Sequence, residues 1–209
     1  MKRAGFDDDA RELLTGCVKE IEAITDAEMV LVVRSRSGSY RQADYLFGSI
    51  LAFLTLLFLL FSPFDFHQYW VAIDVALAFL LGALLSARSN SIPRLLTSKR
   101  ARNEAVRLSA AATFYEAGIA NTKHELGVLI YLSVLERRLE LVADRGVLKS
   151  VPALEWNRIL FDLGEAGTRA EPNVLLWELR NFGALLARYL PASSENPNEL
   201  PDAARFDVK

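Results

Sequence analysis

Two long apolar runs without basic residues dominate the hydrophobic pattern of the chain. The first, residues 45–61, reads YLFGSILAFLTLLFLLF, and the second, residues 70–87, reads WVAIDVALAFLLGALLSA. With residues 62–64 added to the first run, each is about as long as the ~20 residues that a helix needs to cross a bilayer. The pattern therefore predicts a transmembrane hairpin with helices at 45–64 and 70–87. The alternative, a buried hairpin in a soluble core, needs more covering protein than 209 residues provide.

Basic residues predict the orientation of this hairpin. Arginine and lysine concentrate on the cytoplasmic side of membrane proteins. The segment between the two runs, residues 62–69, contains neither. Both flanks of the hairpin are basic, with Arg34, Arg36, Arg41, Arg88, Arg94, Lys99, Arg100 and Arg102. Both termini are therefore predicted to be cytoplasmic.

Some residues inside the apolar runs suggest local roles. Asp74 lies one turn after Trp70, where headgroups and water reach it; the alternative is a proton-relay role. The pairs Gly48 with Ala52 and Ala78 with Gly82 have the small-xxx-small spacing that lets helices approach closely. We expect them to pack the two helices together, or the hairpin against a second copy.

The rest of the chain predicts a small α/β domain. Residues 29–33 and 127–134 read as strands covered on both faces, and residues 139–144 alternate as the third, edge strand of an antiparallel hairpin. Apolar residues at helical spacing predict helices around them. The predicted fold is a small mixed sheet covered by helices, formed by residues 1–44 and 88–191 and interrupted by the hairpin, with a disordered tail at 192–209.

The spacing of apolar residues also predicts which sides of two helices face inward. Cys17 lies on the apolar side of the first helix and is expected in the core. For the helix at 101–117, the side predicted to face inward carries Ala105, Leu108, Ala112 and Tyr115.

Composition narrows the function classes. A formal charge of −2 gives no sign of the basic face that a nucleic-acid partner requires. One cysteine excludes an internal disulfide and a cysteine-cluster metal site. The acidic start of the chain predicts that it has no signal peptide. His67 and His124, the two histidines, fall on opposite sides of the predicted membrane and cannot share a metal.

Two clusters are candidates for binding. Thr122, His124 and Glu125 precede the second strand, and pairing with the third strand brings them toward Asp144 and Arg145. Glu125 and Asp144 would then supply oxygen ligands to a hard cation such as Ca²⁺ or Mg²⁺. The alternative is a solvated loop with local ion pairs.

The second cluster lies where the first strand ends. Arg34, Arg36 and Arg41 alternate there with serines and would contact anionic lipid headgroups. The alternative is that these arginines only set the membrane topology.

Three motifs of the predicted strands resemble the TPM domain family, named for thylakoid, photosystem-repair and nematode membrane proteins. Residues 27–33 (AEMVLVV) resemble its first strand, and residues 126–132 (LGVLIYL) its glycine-led strand. Residues 138–146 (RLELVADRG) resemble its hairpin strand ending in glycine. The resemblance covers about Ala10 to Tyr189, with the membrane segment as an insertion, and points to the bacterial membrane-bound branch.

The resemblance implies a Rossmann-like α/β/α sandwich at the bacterial inner membrane. Some members of the family are weak phosphatases with bound calcium, and others are assembly or auxiliary factors for membrane complexes. Two departures bear on the chemistry: the acid-Asn-Gly motif is here Glu125-Leu126-Gly127, and Asp144 replaces the first glycine of a GxG turn. The favoured hypothesis is a non-enzymatic protein that needs no cofactor and binds a membrane protein or complex. The alternative is a weak metal-dependent phosphatase.

Overall fold

The computed structural model describes residues 6–64, 67–122, 124–193 and 205–207. The chain divides into two compact units, unit 1 (residues 1–37 and 103–209) and unit 2 (residues 38–102). The described elements, in chain order, are α1 (Asp8–Glu22), β1 (Glu28–Arg34), α2 (Arg41–Phe61), α3 (Gln68–Arg88), α4 (Ser91–Leu96), α5 (Lys99–Glu116), a 3-10 turn (Ile119–Asn121), β2 (Gly127–Ser133), β3 (Arg138–Ala143), α6 (Arg145–Ser150), α7 (Ala153–Arg169), α8 (Pro172–Tyr189) and β4 (Arg205–Asp207).

Unit 1 is built on an open mixed sheet with the strand order β3-β2-β1-β4. β1 pairs in parallel with β2 along its whole length, from Glu28 opposite Gly127 to Arg34 opposite Ser133. β3 returns antiparallel to β2 and forms one edge. β4 pairs in parallel with the last three residues of β1. The predicted mixed sheet with an edge hairpin strand is confirmed.

Helices cover both faces of this sheet. Because side chains alternate along a strand, β1 and β2 send odd and even positions to opposite faces. Met29, Leu31 and Val33 of β1 join α1, α7 and α8 in one core, and Val30 and Val32 join α5 in a second core. The predicted α/β/α layering is therefore confirmed, and Cys17 is buried in the first core as expected.

Local signals set the ends of several helices. The side chain of Asp7 accepts a hydrogen bond from the Ala10 N–H at 3.0 Å and caps α1, and Asp8 and Asp9 favour its first turn. Pro172 begins α8, where its missing N–H costs nothing. The acidic residues 7–9 and Pro172 are sequence signals of a helix start, and α1 and α8 begin at these positions.

Unit 2 contains the two apolar helices, α2 and α3, which pack against each other. Both are long and apolar enough to cross a membrane. The buried residues of α2 are Ala43, Asp44 and Gly48, and most of its large apolar side chains are exposed. α2 begins at Arg41 and ends at Phe61, so it is shifted toward the N-terminus relative to the predicted 45–64. α3 begins at Gln68 and ends at Arg88, slightly beyond the predicted 70–87 at both ends.

Close packing of small residues joins the two helices. A Cβ atom on Gly82 would lie 2.9 Å from Gly48 Cα, and one on Gly48 would lie 2.7 Å from the Phe79 carbonyl oxygen. Nearer one end of the pair, the Ser86 hydroxyl donates a 2.6 Å hydrogen bond to Asp44 Oδ1, and both residues are buried. The predicted role of Gly48 and Gly82 in helix–helix packing is confirmed within one chain.

Unit 2 spans residues 38–102, so it includes α4 and the segments beside the two helices as well as the predicted hairpin of 45–87. The predicted inward side of α5 is wrong. The inward side of α5 carries Val106, Ala110 and Phe114, whereas Leu108 and Tyr115 are exposed. The sequence of α5 has two partly apolar sides, and the side that carries Val106 and Phe114 packs on the sheet.

The tail prediction fails at residues 205–207, which form β4. Phe206 packs against the core, and backbone pairing with β1 holds its neighbours. Residues 194–204 and 208–209, also part of the predicted disordered tail, lie outside the described residues.

Candidate functional site

The structure brings together the backbone of the predicted cation cluster. Asp144 N–H donates to the Gly127 carbonyl at 2.8 Å, and Gly146 N–H donates to the Glu125 carbonyl at 2.9 Å. The loop before β2 therefore lies against the turn after β3. Thr122 organises this loop, since its hydroxyl oxygen accepts a 3.0 Å hydrogen bond from the Leu126 N–H.

Close packing of the backbone at Gly146 constrains the same loop and turn. A Cβ atom on Gly146 would lie 2.6 Å from the Glu125 carbonyl oxygen and 2.7 Å from that of His124, so the position requires glycine. Glu125 has φ +57°, in the left-handed region that a side chain with a Cβ adopts at a cost. The side chains of His124, Glu125 and Arg145 are exposed.

The Asp144 carboxylate is already used by the fold. Its Oδ1 accepts a 2.7 Å hydrogen bond from the Arg145 N–H and caps α6. Its Oδ2 is buried, with no hydrogen-bond partner among the described residues. Ca²⁺ takes about six to eight oxygen ligands. Across the described ranges, no group of three His, Cys, Asp or Glu residues is placed to hold a metal, and metal binding at Glu125 and Asp144 stays a prediction.

A different cluster, at the carboxyl ends of β1 and β2, is a connected network of polar groups, three of them buried and one partly buried. The Ser37 hydroxyl lies 3.0 Å from the Tyr131 hydroxyl and donates to the Ser133 hydroxyl oxygen at 2.7 Å. The Ser133 hydroxyl donates to Glu136 Oε2, and the Ser37 N–H donates to Glu136 Oε1 at 3.0 Å. We call Ser37, Tyr131, Ser133 and Glu136 the strand-end network.

The strand-end network fixes the last residues of unit 1 before the chain enters unit 2. Glu136 is only 6% exposed, and the donors around it satisfy a carboxylate that would otherwise be costly to bury. Ser109 of α5 adds a bond from its hydroxyl to the Ser37 carbonyl at 3.1 Å. Serine, glutamate and tyrosine can take part in catalysis, but every hydroxyl group of this network already takes part in one of these structural hydrogen bonds. The arrangement holds the turn after β2 against the end of β1.

Ser37 is one of the serines that alternate with the basic residues after β1, but its partners are not apparent from that pattern. Ser133 ends a run of apolar residues, and Glu136 follows in the turn. This polar pair directly after a predicted buried strand is the sequence signal that could have identified the network. Ligand sites of open α/β sheets lie at the carboxyl ends of strands, which gives such a pair significance. What the sequence does not show is that Ser37 meets them from a position far away along the chain.

The basic cluster is divided between the two units. Arg34 and Arg36 belong to unit 1, and Arg41 is the first residue of α2 in unit 2. The Arg34 guanidinium Nε lies 3.3 Å from Asp207 Oδ2, and the group lies 6.0 Å from the Tyr131 ring centroid. Arg36 and Arg41 are exposed. Their contact with lipid stays a prediction.

The outer sides of α7 and α8 carry large apolar residues. Leu154 is 84% exposed, Phe161 68% and Trp177 65%. Each lies opposite the buried stripe of its helix, which includes Ile159 and Leu163 in α7 and Leu175 and Leu179 in α8.

A hydrogen bond joins these two helices where α7 begins and α8 ends. The Tyr189 hydroxyl donates to Glu155 Oε1 at 2.5 Å, and Arg188 Nη1 lies 3.7 Å from Glu155 Oε2. The hydrogen bond to Glu155 raises the pKa of Tyr189, and the positive charge of Arg188 opposes this rise. Elsewhere in unit 1, burial raises the pKa of the Cys17 thiol and so disfavours its thiolate form.

Comparisons with known proteins give the fold. No protein-family model matches the chain. No curated protein matches it either. The chain is similar to the NMR structure of the BA42 protein from the psychrophilic bacterium Bizionia argentinensis, with a TM-score of 0.58 and 14% identity over 96% of this chain and 94% of that chain. At this identity the similarity shows a shared α/β fold.

Proposed function

We propose that this protein is a membrane-anchored binding protein of the bacterial inner membrane. The α2–α3 hairpin holds it in the bilayer, and unit 1 binds a membrane protein or complex during assembly or quality control. The observation that supports this proposal most strongly is the surface of the hairpin. Its large apolar side chains are exposed, and the two helices cover each other along only one side.

The direction of insertion follows from the basic flanks. Residues 34–41 and 88–102 supply arginine and lysine, while the segment between the helices supplies none. Basic residues favour the cytoplasmic side by the positive-inside rule, so both flanks and unit 1 are cytoplasmic in this proposal. A reporter attached at residue 209 tests it, since activity outside the cytoplasm contradicts it.

The outer sides of α7 and α8 are the proposed partner surface. Exposed aromatic residues are enriched at protein interfaces, where their burial supplies much of the binding energy. Phe161 and Trp177 are the exposed aromatic residues of these two helices. Their exposure motivates the proposal.

Site-specific photocrosslinking in native membranes tests the partner surface. A photoreactive residue at position 161 or 177 should crosslink to one recurrent membrane protein, identified by mass spectrometry. The same residue at Arg107, an exposed position of α5, is the matched control. With the photoreactive residue at position 161, Trp177→Ser should reduce the product without changing the amount of folded protein. Equal products from all three positions would exclude this surface.

The alternative function is a weak metal-dependent phosphatase. The one observation that favours it is Asp144 Oδ2, which is buried without a hydrogen-bond partner in the described part of the chain and lies in the turn beside the Glu125 loop. Purified protein should then hydrolyse a generic phosphomonoester only with Ca²⁺ or Mg²⁺. Glu125→Gln and Asp144→Asn should each stop the reaction. Turnover no higher than that of a mock purification would exclude the alternative.

A further inference from the structure

One end of the α2–α3 hairpin carries an exposed arginine on each helix. Arg41 is the first residue of α2 and Arg88 is the last residue of α3. The buried hydrogen bond between Asp44 and Ser86 joins the helices close to this end. At about 1.5 Å of rise per residue, Arg41 lies roughly 4.5 Å and Arg88 roughly 3 Å along its own helix from that bond. The two arginines therefore lie at the same end of the hairpin.

The short helix α4 is fixed against the rest of unit 2 and directs a leucine outward. α4 begins shortly after α3 ends and packs on both α2 and α3, and its Pro93 is buried. Leu95 lies two residues later, roughly 200° around the helix axis from Pro93. Leu95 is 85% exposed, more than any other large apolar residue in the described part of the chain. The packing of α4 therefore holds this side chain away from the protein.

The charges around α4 favour an anionic occupant. Residues 88–102 contain five basic residues and no acidic residue. Segments that lie in the membrane–water interface bury apolar side chains beneath the headgroups and keep their cations among the headgroups. An arginine suits this position, since its aliphatic stem packs on apolar surface while its guanidinium group forms paired hydrogen bonds with a phosphate. A lone exposed leucine is ordinary on a soluble surface, but Leu95 belongs to the unit that carries both apolar helices.

We propose that α4 lies in the membrane–water interface, where Leu95 inserts among the acyl chains and Arg41 and Arg88 bind the headgroup of an anionic phospholipid. A lipid held in this way fixes the depth of the hairpin, because α2 begins and α3 ends at its headgroup. The inference rests on the membrane insertion of the proposed function. It involves neither the outer sides of α7 and α8 nor the arginines of unit 1.

Depth-dependent fluorescence quenching tests the position of α4. A fluorophore is attached to a cysteine that replaces Leu95, Leu54 or Leu108 in a Cys17→Ser background, and the full chain is reconstituted into vesicles of phosphatidylcholine and phosphatidylglycerol. Lipids with a nitroxide high on the acyl chain should quench the label at 95 several times more strongly than the label at 108. Lipids with a deep nitroxide should act most strongly at 54. Quenching at 54 but not at 95 overturns the inference and leaves the hairpin in place, whereas no quenching at either position overturns both.

Lipid retention tests the two arginines. The full chain is extracted in mild detergent from vesicles with equal amounts of phosphatidylcholine and phosphatidylglycerol, and the lipids that stay bound are quantified by mass spectrometry. Wild type should retain an excess of phosphatidylglycerol, and Arg41→Gln with Arg88→Gln should reduce this excess about tenfold. Arg41→Lys with Arg88→Lys should keep most of it. Arg107→Gln with Arg158→Gln removes the same charge from exposed positions of unit 1 and should change nothing. An excess that survives in the first variant, or falls equally in the last, overturns the inference.

Discussion

Unit 1 and unit 2 place the same kinds of side chain in opposite positions. In unit 1, the aliphatic residues of β1 and β2 lie inside, between α5 on one face and α1, α7 and α8 on the other. In unit 2, the leucines and phenylalanines of α2 and α3 face outward, while the buried positions include glycine, serine and aspartate. Burial of apolar area contributes about 25 cal/mol per Å². The sheet obtains this stabilisation from its own chain, whereas the described residues leave most large apolar side chains of the hairpin uncovered.

The largest expected effect separates the two units through matched phenylalanines. Phe182→Ala in α8 removes a fully buried ring that contacts Trp156 at 6.0 Å between centroids. We expect it to destabilise unit 1 by about 3–5 kcal/mol. Phe58→Ala in α2 removes an exposed ring and should leave unit 1 unchanged. Denaturant unfolding in detergent, followed by tryptophan fluorescence, measures both, and a similar loss in each would contradict the comparison.

A charge on the outward surface tests the hairpin alone. Leu54→Arg should reduce membrane insertion, because an arginine near the centre of a spanning helix costs about 2.5–3.5 kcal/mol. Leu108→Arg in α5, at a position of similar exposure, should have no effect. The measure is the fraction of protein that stays in the membrane after alkaline extraction. Equal retention of the two variants would count against a lipid-facing α2.

Packing between α2 and α3 should show a smaller effect. Gly48→Leu places a side chain against the Phe79 carbonyl and should cost about 1–3 kcal/mol by overpacking. Gly164→Leu in α7, where no atom lies within 4 Å of an added Cβ, is the control. In a Cys17→Ser background, cysteines at positions 45 and 79 should crosslink slowly in Gly48→Leu and quickly in the control. An unchanged rate would remove Gly48 from the helix contact.

Relief of backbone strain should give a small gain in unit 1. Glu125→Gly removes a side chain at φ +57°, so the free energy of unfolding should rise by about 1 kcal/mol. Glu125→Gln keeps the strain and removes the charge, so it separates conformation from metal binding. A loss of stability in Glu125→Gly, reproduced by Glu125→Gln, would instead indicate that the carboxylate has a bound partner.

The smallest expected effect is a pH dependence within unit 1. The folded-state pKa of Tyr189 is raised, chiefly by its hydrogen bond to Glu155. Its contribution is therefore present below the unfolded pKa of about 10 and is lost as the pH rises through the folded value. The Cys17 thiol has the same sign, so the comparison uses a Cys17→Ala background. Tyr189→Phe should flatten the alkaline decline in unfolding free energy, and an identical decline would exclude this bond as its source.

The sequence predicts the fold to the extent that apolar periodicity dictates it. The residues of β1, β2 and the hairpin form long uninterrupted runs, so their type and partners follow from pattern. The same reasoning fails for α5. Leu108 and Tyr115 contribute more than alanine to an apolar pattern, so the pattern places them on the inward side, but both are exposed. Tertiary packing on the sheet selects Val106 and Phe114 instead. β4 has three residues and no pattern of its own, since only its contacts with β1 make it a strand.

The candidate sites, like the fold, are only partly predictable from the sequence. Pairing of β2 with β3 predicts that the Glu125 loop meets Asp144, and the backbone does bring them together. The direction of each carboxylate depends on caps and turns, and Asp144 is directed to the start of α6. The strand-end network joins Ser37 to Glu136 across the inserted unit 2, a distance along the chain that no local pattern spans.

Spin-label accessibility at two leucines tests whether α2 is embedded in a bilayer. Leu54 in α2 is 55% exposed and Leu108 in α5 is 59% exposed, so the two differ in the unit that carries them rather than in accessibility. Each is replaced by a labelled cysteine in a Cys17→Ser background, in protein reconstituted into lipid vesicles. The label at position 54 should collide more with oxygen than with a water-soluble nickel complex, and the label at 108 should show the reverse. Nickel collisions of equal strength at both positions would contradict a membrane-embedded hairpin.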